Sequence, residues 1–173
     1  MTRILLITGS TRADSTSSAA LRSASALEID NVDTVFYEGL SDLPPFNPDD
    51  DIEPLPPEVA RLRAQIDAAD AVLFCTPEYA GTLPGSLKNL LDWTVKGGEM
   101  YGKAVASLTV ASPGRGDAAQ AMLRTVLGYV GAVFIEEAWG RITVPQSSVN
   151  DGLVADEDVH AQLETLLILI SEH

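Results

Sequence analysis

Residues 8–18 read Thr8-Gly9-Ser10-Thr11-Arg12-Ala13-Asp14-Ser15-Thr16-Ser17-Ser18. Hydroxyls donate to phosphate oxygens, and a guanidinium adds charge and a planar set of donors. The stretch follows the apolar run Ile4-Leu5-Leu6-Ile7 and precedes a helical pattern. A loop so placed feeds a helix N-terminus, whose unpaired N–H groups carry about half a positive charge. It reads as a phosphate cradle. The alternative is a Ser/Thr-rich helix cap that binds nothing.

Two further loops carry unusual chemistry. Residues 76–86 place Pro77, Gly81, Pro84 and Gly85 around Glu78 and Tyr79. That path is rigid and suits the presentation of main-chain N–H and C=O groups to a flat polar ring. A plain strand-to-helix connection with a proline helix start reads equally from these residues. The third loop contains Gly114-Arg115-Gly116-Asp117-Ala118-Ala119, with Glu136 just past the next strand. Locally this matches a dinucleotide-binding fingerprint. Against it, Asp117 stands where a pyrophosphate would lie, and the motif follows the fourth strand rather than the first.

Other chemistries drop out. The histidines are His160 and His173, in or after the last helix, so neither a Ser-His-Asp arrangement nor a His/Cys metal cluster is offered. Cys75 is the single cysteine. It reads as a small buried hydrophobe at a strand end, excludes an internal disulfide and fits a reduced, cytoplasmic setting. A net charge of −14 argues against nucleic acid and anionic membrane surfaces. The N-terminal apolar run is too short for a signal peptide, and no run approaches a membrane span.

The elements that must position these loops follow from hydrophobic period. Strands are expected at Arg3–Thr8, Val32–Tyr37, Ala71–Thr76, Lys103–Ala111 and Ala132–Ile135, with Trp139–Ser148 as a short edge extension. Helices are expected at Thr16–Ile29, Pro56–Ala69, Pro84–Thr94, Ala118–Val130 and Asp156–Ile170. Their inward stripes read Ala20, Leu21, Ala24, Leu27; Val59, Leu62, Ile66; Leu87, Leu90, Leu91; Ala118, Met122, Val126, Val130; and Val159, Leu163, Leu166, Leu167, Ile170. The Pro- and Asp-rich segment 38–57 reads as a long functional or mobile loop, its Asp49-Asp50-Asp51 triplet solvated. Repeated β-α alternation calls for one α/β domain over residues 1–173, a doubly wound five-stranded parallel sheet in the order 2-1-3-4-5 with helices on both faces. Such sheets bind ligands outside the carboxyl ends of their strands, where the three loops meet.

Gly9-Ser10-Thr11-Arg12 with Ser15, and Pro77-Glu78-Tyr79 followed by Pro84-Gly85-x-Leu87-Lys88-Asn89-x-x-Asp92-Trp93, resemble the NAD(P)H-dependent FMN reductase family. The resemblance covers roughly residues 3–135, and the second motif is the specific one. It implies a flavodoxin-like fold, non-covalent FMN, NAD(P)H as co-substrate, and a quinone, free flavin, azo dye or metal oxyanion as acceptor. It implies a phosphate cradle from Ser10, Thr11, Arg12, Ser15, Thr16 and Ser17. It lays the flavin ring on Pro77, Glu78, Tyr79, Ala80 and Gly81, with Ser112, Pro113 and Gly114 on the other side and Asp117 as a helix N-cap. Arg115 then either meets the co-substrate's phosphates or is solvated. No catalytic side chain is implied, because hydride transfer to flavin needs no acid or base. Trp93 reads as core or interface. A homodimer or homotetramer is implied. Many relatives have Asn where this chain has Ser17 and Ala80, and an aromatic at Thr16. Alternatives are a flavodoxin-type electron carrier, prompted by the acidic surface, and a flavin-binding protein without turnover.

Overall fold

A computed structural model describes residues 1–173. Five strands, β1 (Thr2–Thr8), β2 (Val32–Phe36), β3 (Ala71–Cys75), β4 (Ala104–Thr109) and β5 (Val133–Arg141), form a parallel sheet in the order β2-β1-β3-β4-β5. The register pairs Leu6 with Phe36 on one side and with Leu73 on the other. The order is the expected one.

Residues 4–7 of β1 and the whole of β3 are apolar because both faces are covered there. On β1, Ile4 and Leu6 join the core under helices α1 (Thr16–Ser25) and α5 (Glu157–Ser171). Leu5 and Ile7 face α2 (Pro57–Asp67), α3 (Gly85–Asp92) and α4 (Asp117–Tyr129). Side chains alternate across a strand, so a strand buried on both sides reads as an unbroken hydrophobic run. The expected stripes of α2, α3 and α5 are buried in full.

Four expectations change. Helix α1 stops at Ser25, four residues short, leaving Leu27 outside the helix and partly buried. On α4 the fully buried residues are Ala119, Leu123 and Leu127, while Met122 is 42% exposed and Ala118 is exposed. That helix is apolar around most of its circumference, so period alone could not choose its inward face. Strand β5 runs on to Arg141 with no separate extension at Trp139–Ser148. Its pairing slips between Val105↔Phe134 and Ser107↔Trp139 through a bulge. A small antiparallel hairpin, β6 (Val149–Asn150) and β7 (Leu153–Val154), packs on α1, where Val154 N–H donates to Ser23 Oγ at 2.8 Å.

The segment 38–57 is anchored. Asn89 Oδ1 accepts from Phe46 N–H at 2.7 Å, and Asn89 Nδ2 and Trp93 Nε1 both donate to the Pro44 carbonyl. Thus the Asn89 and Trp93 of the specific motif tie this loop to α3, and Trp93 is wholly buried. Asp51 corrects the solvated reading of its triplet. It is 2% exposed and receives Arg63 Nη2 at 2.8 and 3.0 Å.

Candidate functional site

Loop 9–15 links β1 to α1 at the carboxyl edge of the sheet. Gly9 N–H donates to the Cys75 carbonyl at 2.8 Å, so the loop starts against the end of β3. Ser15 is the N-cap of α1, accepting from Ser18 N–H. Arg12 N–H goes to Ser10 Oγ and Ser10 N–H to Thr8 Oγ1. The amides of Thr11, Ala13, Asp14, Ser15, Thr16 and Ser17 have no partner within the chain. Together with the buried hydroxyls of Ser10, Ser15 and Ser17, they form a donor-rich concavity at a helix N-terminus. That donor set suits a phosphate. Arg12 is exposed, its Nη2 donating to the Asp14 carbonyl at 3.2 Å. Asp14 is exposed, and its carboxylate caps nothing.

Loop 76–84 follows β3. Tyr79 and Thr82 exchange backbone hydrogen bonds at 3.1 Å, closing a tight turn with Ala80 at φ 51° and Gly81 at φ 73°. Ala80 therefore holds a left-handed conformation that costs an L-residue about 1–2 kcal/mol and suits Gly or Asn better. Ala80→Gly is expected to raise the unfolding midpoint by a few degrees, about 1 kcal/mol. Thermal denaturation showing a loss of stability would contradict this reading of the turn.

Loop 111–116 closes the third side. Glu78 reaches across to it, its Oε2 accepting from the amides of Ala118 and Ala119 at 3.0 and 3.3 Å. The first turn of α4 is thereby capped by a carboxylate from another loop. One expectation falls with this, and the sequence objection to the dinucleotide pattern is upheld. Asp117 is not the N-cap: Gly116, at φ 87°, holds that position, and the Asp117 carboxylate pairs with Arg141. Nor is the Gly114-x-Gly116-x-x-Ala119 pattern a dinucleotide site, since Glu78 occupies the amides a pyrophosphate would need.

The three loops enclose a cleft of about 320 Å³, whose wall includes Thr16, Ser17, Pro77 and Glu78. These four of the expected site residues converge. Ser10 and Ser15 are buried in the neighbouring loop. Thr11, Arg12, Tyr79, Ala80, Gly81, Ser112, Pro113 and Gly114 are exposed around it. Thr76, Val110, Ala111, Arg115 and Gly116 also line the cleft. Arg115 and Gly116 belong to the third-loop motif already singled out; the signal for Thr76, Val110 and Ala111 was position at a strand's carboxyl end, which motif matching passed over. A groove of similar size, 340 Å³, runs along α5 past Leu108, Ile142 and Leu166. It is mainly apolar and lacks the open amides, so the polar cleft is the better candidate.

Cys75 lies beneath the cleft, fully buried. Burial pushes its thiol up to about 12, the neighbouring Ser17 hydroxyl pulling the other way. Burial likewise pushes Tyr37 up to about 12. Both groups hold their protons more tightly folded than unfolded. Stability is therefore full below their ordinary values of 9.0 and 10.0 and falls as pH climbs toward 12. A urea midpoint flat from about pH 8 to pH 12 would contradict this.

A doubly wound parallel sheet with an open anion cradle after β1 defines the flavodoxin-like class of nucleotide-cofactor proteins. The chain belongs to the NADPH-dependent FMN reductase family, whose model matches residues 2–143. It is 39% identical over 120 residues to an NAD(P)H-dependent FMN reductase of Pseudomonas aeruginosa, covering 69% of this chain and 64% of that protein. It is 32% identical over 171 residues to a 2-hydroxy-1,4-benzoquinone reductase of a Burkholderia species, covering 95% and 92%. The solved structure of FerB, a flavoenzyme NAD(P)H:(acceptor) oxidoreductase from Paracoccus denitrificans, superimposes with a TM-score of 0.79 at 29% identity, covering 100% and 99%.

Proposed function

We propose that the protein is an FMN-dependent oxidoreductase, a single domain over residues 1–173. It takes hydride from NAD(P)H and passes electrons to a quinone or another small acceptor such as free flavin, an azo dye or a metal oxyanion. The open amides at the start of α1 are the observation that carries the reading. Bound FMN supplies the redox chemistry. The chain's own residues do the rest. The open amides of Thr11, Ala13, Asp14, Ser15, Thr16 and Ser17, with the Ser10, Ser15 and Ser17 hydroxyls, hold the terminal phosphate, and Arg12 offsets the acidic background. The turn Pro77–Gly81 offers main-chain groups to the ring, and Ser112, Pro113 and Gly114 bound the opposite side. The matches to the Pseudomonas and Burkholderia reductases support the small-molecule acceptor.

No helix is long and apolar enough to cross a membrane. A reduced cytoplasmic setting is proposed from the single, buried cysteine. A homodimer or homotetramer is proposed, supported by apolar side chains left in solvent on α4, Met122 at 42% and Tyr129 at 89% exposed. Light scattering tests it, and a monomer at micromolar concentration overturns it.

The functional test is optical. Protein loaded with FMN should bleach at the flavin bands on addition of NADPH or NADH and recover on addition of a quinone. Absence of bleaching with both nucleotides removes the oxidoreductase reading. Arg12→Ala should raise the FMN dissociation constant about tenfold, the value of one charge-assisted contact. An unchanged constant removes Arg12 from the cradle.

A further inference from the structure

We propose that Arg141 is a positioning residue: it latches loop 111–116 and so presents the Arg115 side chain to the phosphates of the nicotinamide co-substrate. The co-substrate half of the inference rests on the proposed oxidoreductase function; the latch does not.

Loop 111–116 has little internal support. Its one backbone hydrogen bond runs from Arg115 N–H to the Ser112 carbonyl at 3.1 Å. Gly114 and Gly116 stand at φ 79° and 87°, a conformation open to glycine at low cost but flexible in consequence. The order comes from β5. Arg141 Nη1 donates to the carbonyls of Ala111, Ser112 and Arg115 at 2.9, 3.1 and 2.7 Å, and Nη2 pairs with the Asp117 carboxylate. One guanidinium thus gathers both ends of the loop. Lysine, a compact point charge, cannot reproduce that planar fork. On the other side the Glu78 carboxylate holds the amides of Ala118 and Ala119. The third wall of the cleft is pinned by two side chains of opposite sign.

The latch takes the backbone of Arg115 and leaves its side chain free. Arg3, Arg61, Arg63, Lys88, Arg124 and Arg141 pair with carboxylates. Arg12, Lys96 and Lys103 donate to carbonyls, and Arg22 lies over the Phe36 ring. Of the 11 basic residues, Arg115 alone makes no such contact. It is exposed and lines the cleft. In a chain of net charge −14, an uncompensated cation on the cleft wall is a counter-charge for a phosphate-bearing molecule. The 2′-phosphate and pyrophosphate of NADPH share that chemistry.

The latch is read without any cofactor, by trypsin cleavage after Arg115 in the native protein. Arg141→Gln should speed this cleavage about tenfold and Arg141→Lys less, as a loop held by one fewer charge-assisted set opens more often. Asp117→Asn, which keeps the three carbonyl bonds, should fall between wild type and Arg141→Gln. An unchanged cleavage rate in Arg141→Gln overturns the latch. On FMN-loaded enzyme, Arg115→Ala and Arg141→Gln should each raise KM for NADPH about tenfold with kcat within about twofold. The double variant should be no worse than Arg115→Ala, since both remove one contact. Additive effects on KM, or an unchanged KM in Arg115→Ala, overturn the co-substrate role. NADH alongside NADPH separates the sources: equal losses assign Arg115 to the pyrophosphate, a loss with NADPH alone to the 2′-phosphate. Wild-type enzyme that oxidises neither nucleotide overturns the oxidoreductase reading and the co-substrate role with it, while the cleavage rates still judge the latch.

Discussion

Arg63→Met should destabilise the protein by about 3–5 kcal/mol, the range for stripping one partner from a buried ion pair. Arg63 sits on α2, its side chain 11% exposed. It holds the Asp51 carboxylate, donates to the Trp93 carbonyl through Nε at 2.9 Å, and lies 3.5 Å from Glu99 Oε1. Without it, two carboxylates with side chains 2% and 13% exposed keep their charge and lose their cation. Lys96 does not substitute, since it bonds the Asp51 carbonyl. Urea titration measures the effect. Adding Asp51→Asn and Glu99→Gln should recover a large part of it, because neutral groups carry no ion desolvation cost. A loss below about 1 kcal/mol would mean that the cluster is solvated.

Gly9→Val should raise the FMN dissociation constant by about two orders of magnitude or more, or prevent loading altogether. A Cβ at Gly9 would lie 2.2 Å from Thr76 Oγ1 and 2.7 Å from Thr76 Cβ, with Leu87 Cδ2 behind it at 3.0 Å. Real Cβ atoms do not approach so closely, so the first and second loops must separate. The amides of the cradle then move relative to the ring platform, and sub-ångström placement decides such contacts. Thr76→Gly removes both nearest atoms. In the double variant binding should return in part. A Gly9→Val protein that binds FMN like wild type would show that the loops tolerate separation. It would also remove the close approach as the reason for glycine there.

Much of this was legible in the sequence for local reasons. The β-α alternation and the stripes of α2, α3 and α5 rest on periods within single elements, and the sheet order followed from that alternation through the connection rules of doubly wound sheets. The anion loop was legible because hydroxyls and a helix start adjoin in sequence. What escaped was set by distant partners. Burial of Asp51 depends on an arginine twelve residues away on another element. Glu78 belongs to a motif that the family resemblance attached to the flavin, yet its carboxylate is spent on amides forty residues further on. Arg141 carried no motif at all, although it organises the third loop. The inward face of α4 was mistaken by one residue because two adjacent apolar stripes compete on that helix, and contact with the sheet decided between them.

The Glu78 cap has one more consequence. The cleft has the N-termini of α1 and α4 in its wall, through Thr16 and Gly116. One end offers open amides; the other is already neutralised by a carboxylate. The trough between them is a keyed socket. A molecule with a single anionic tail finds open amides at α1 alone; at α4 the amides of Ala118 and Ala119 are taken, and what remains for an anion there is the Arg115 side chain. Direction of entry is thus biased before any contact with the ring, by a side chain that touches only protein.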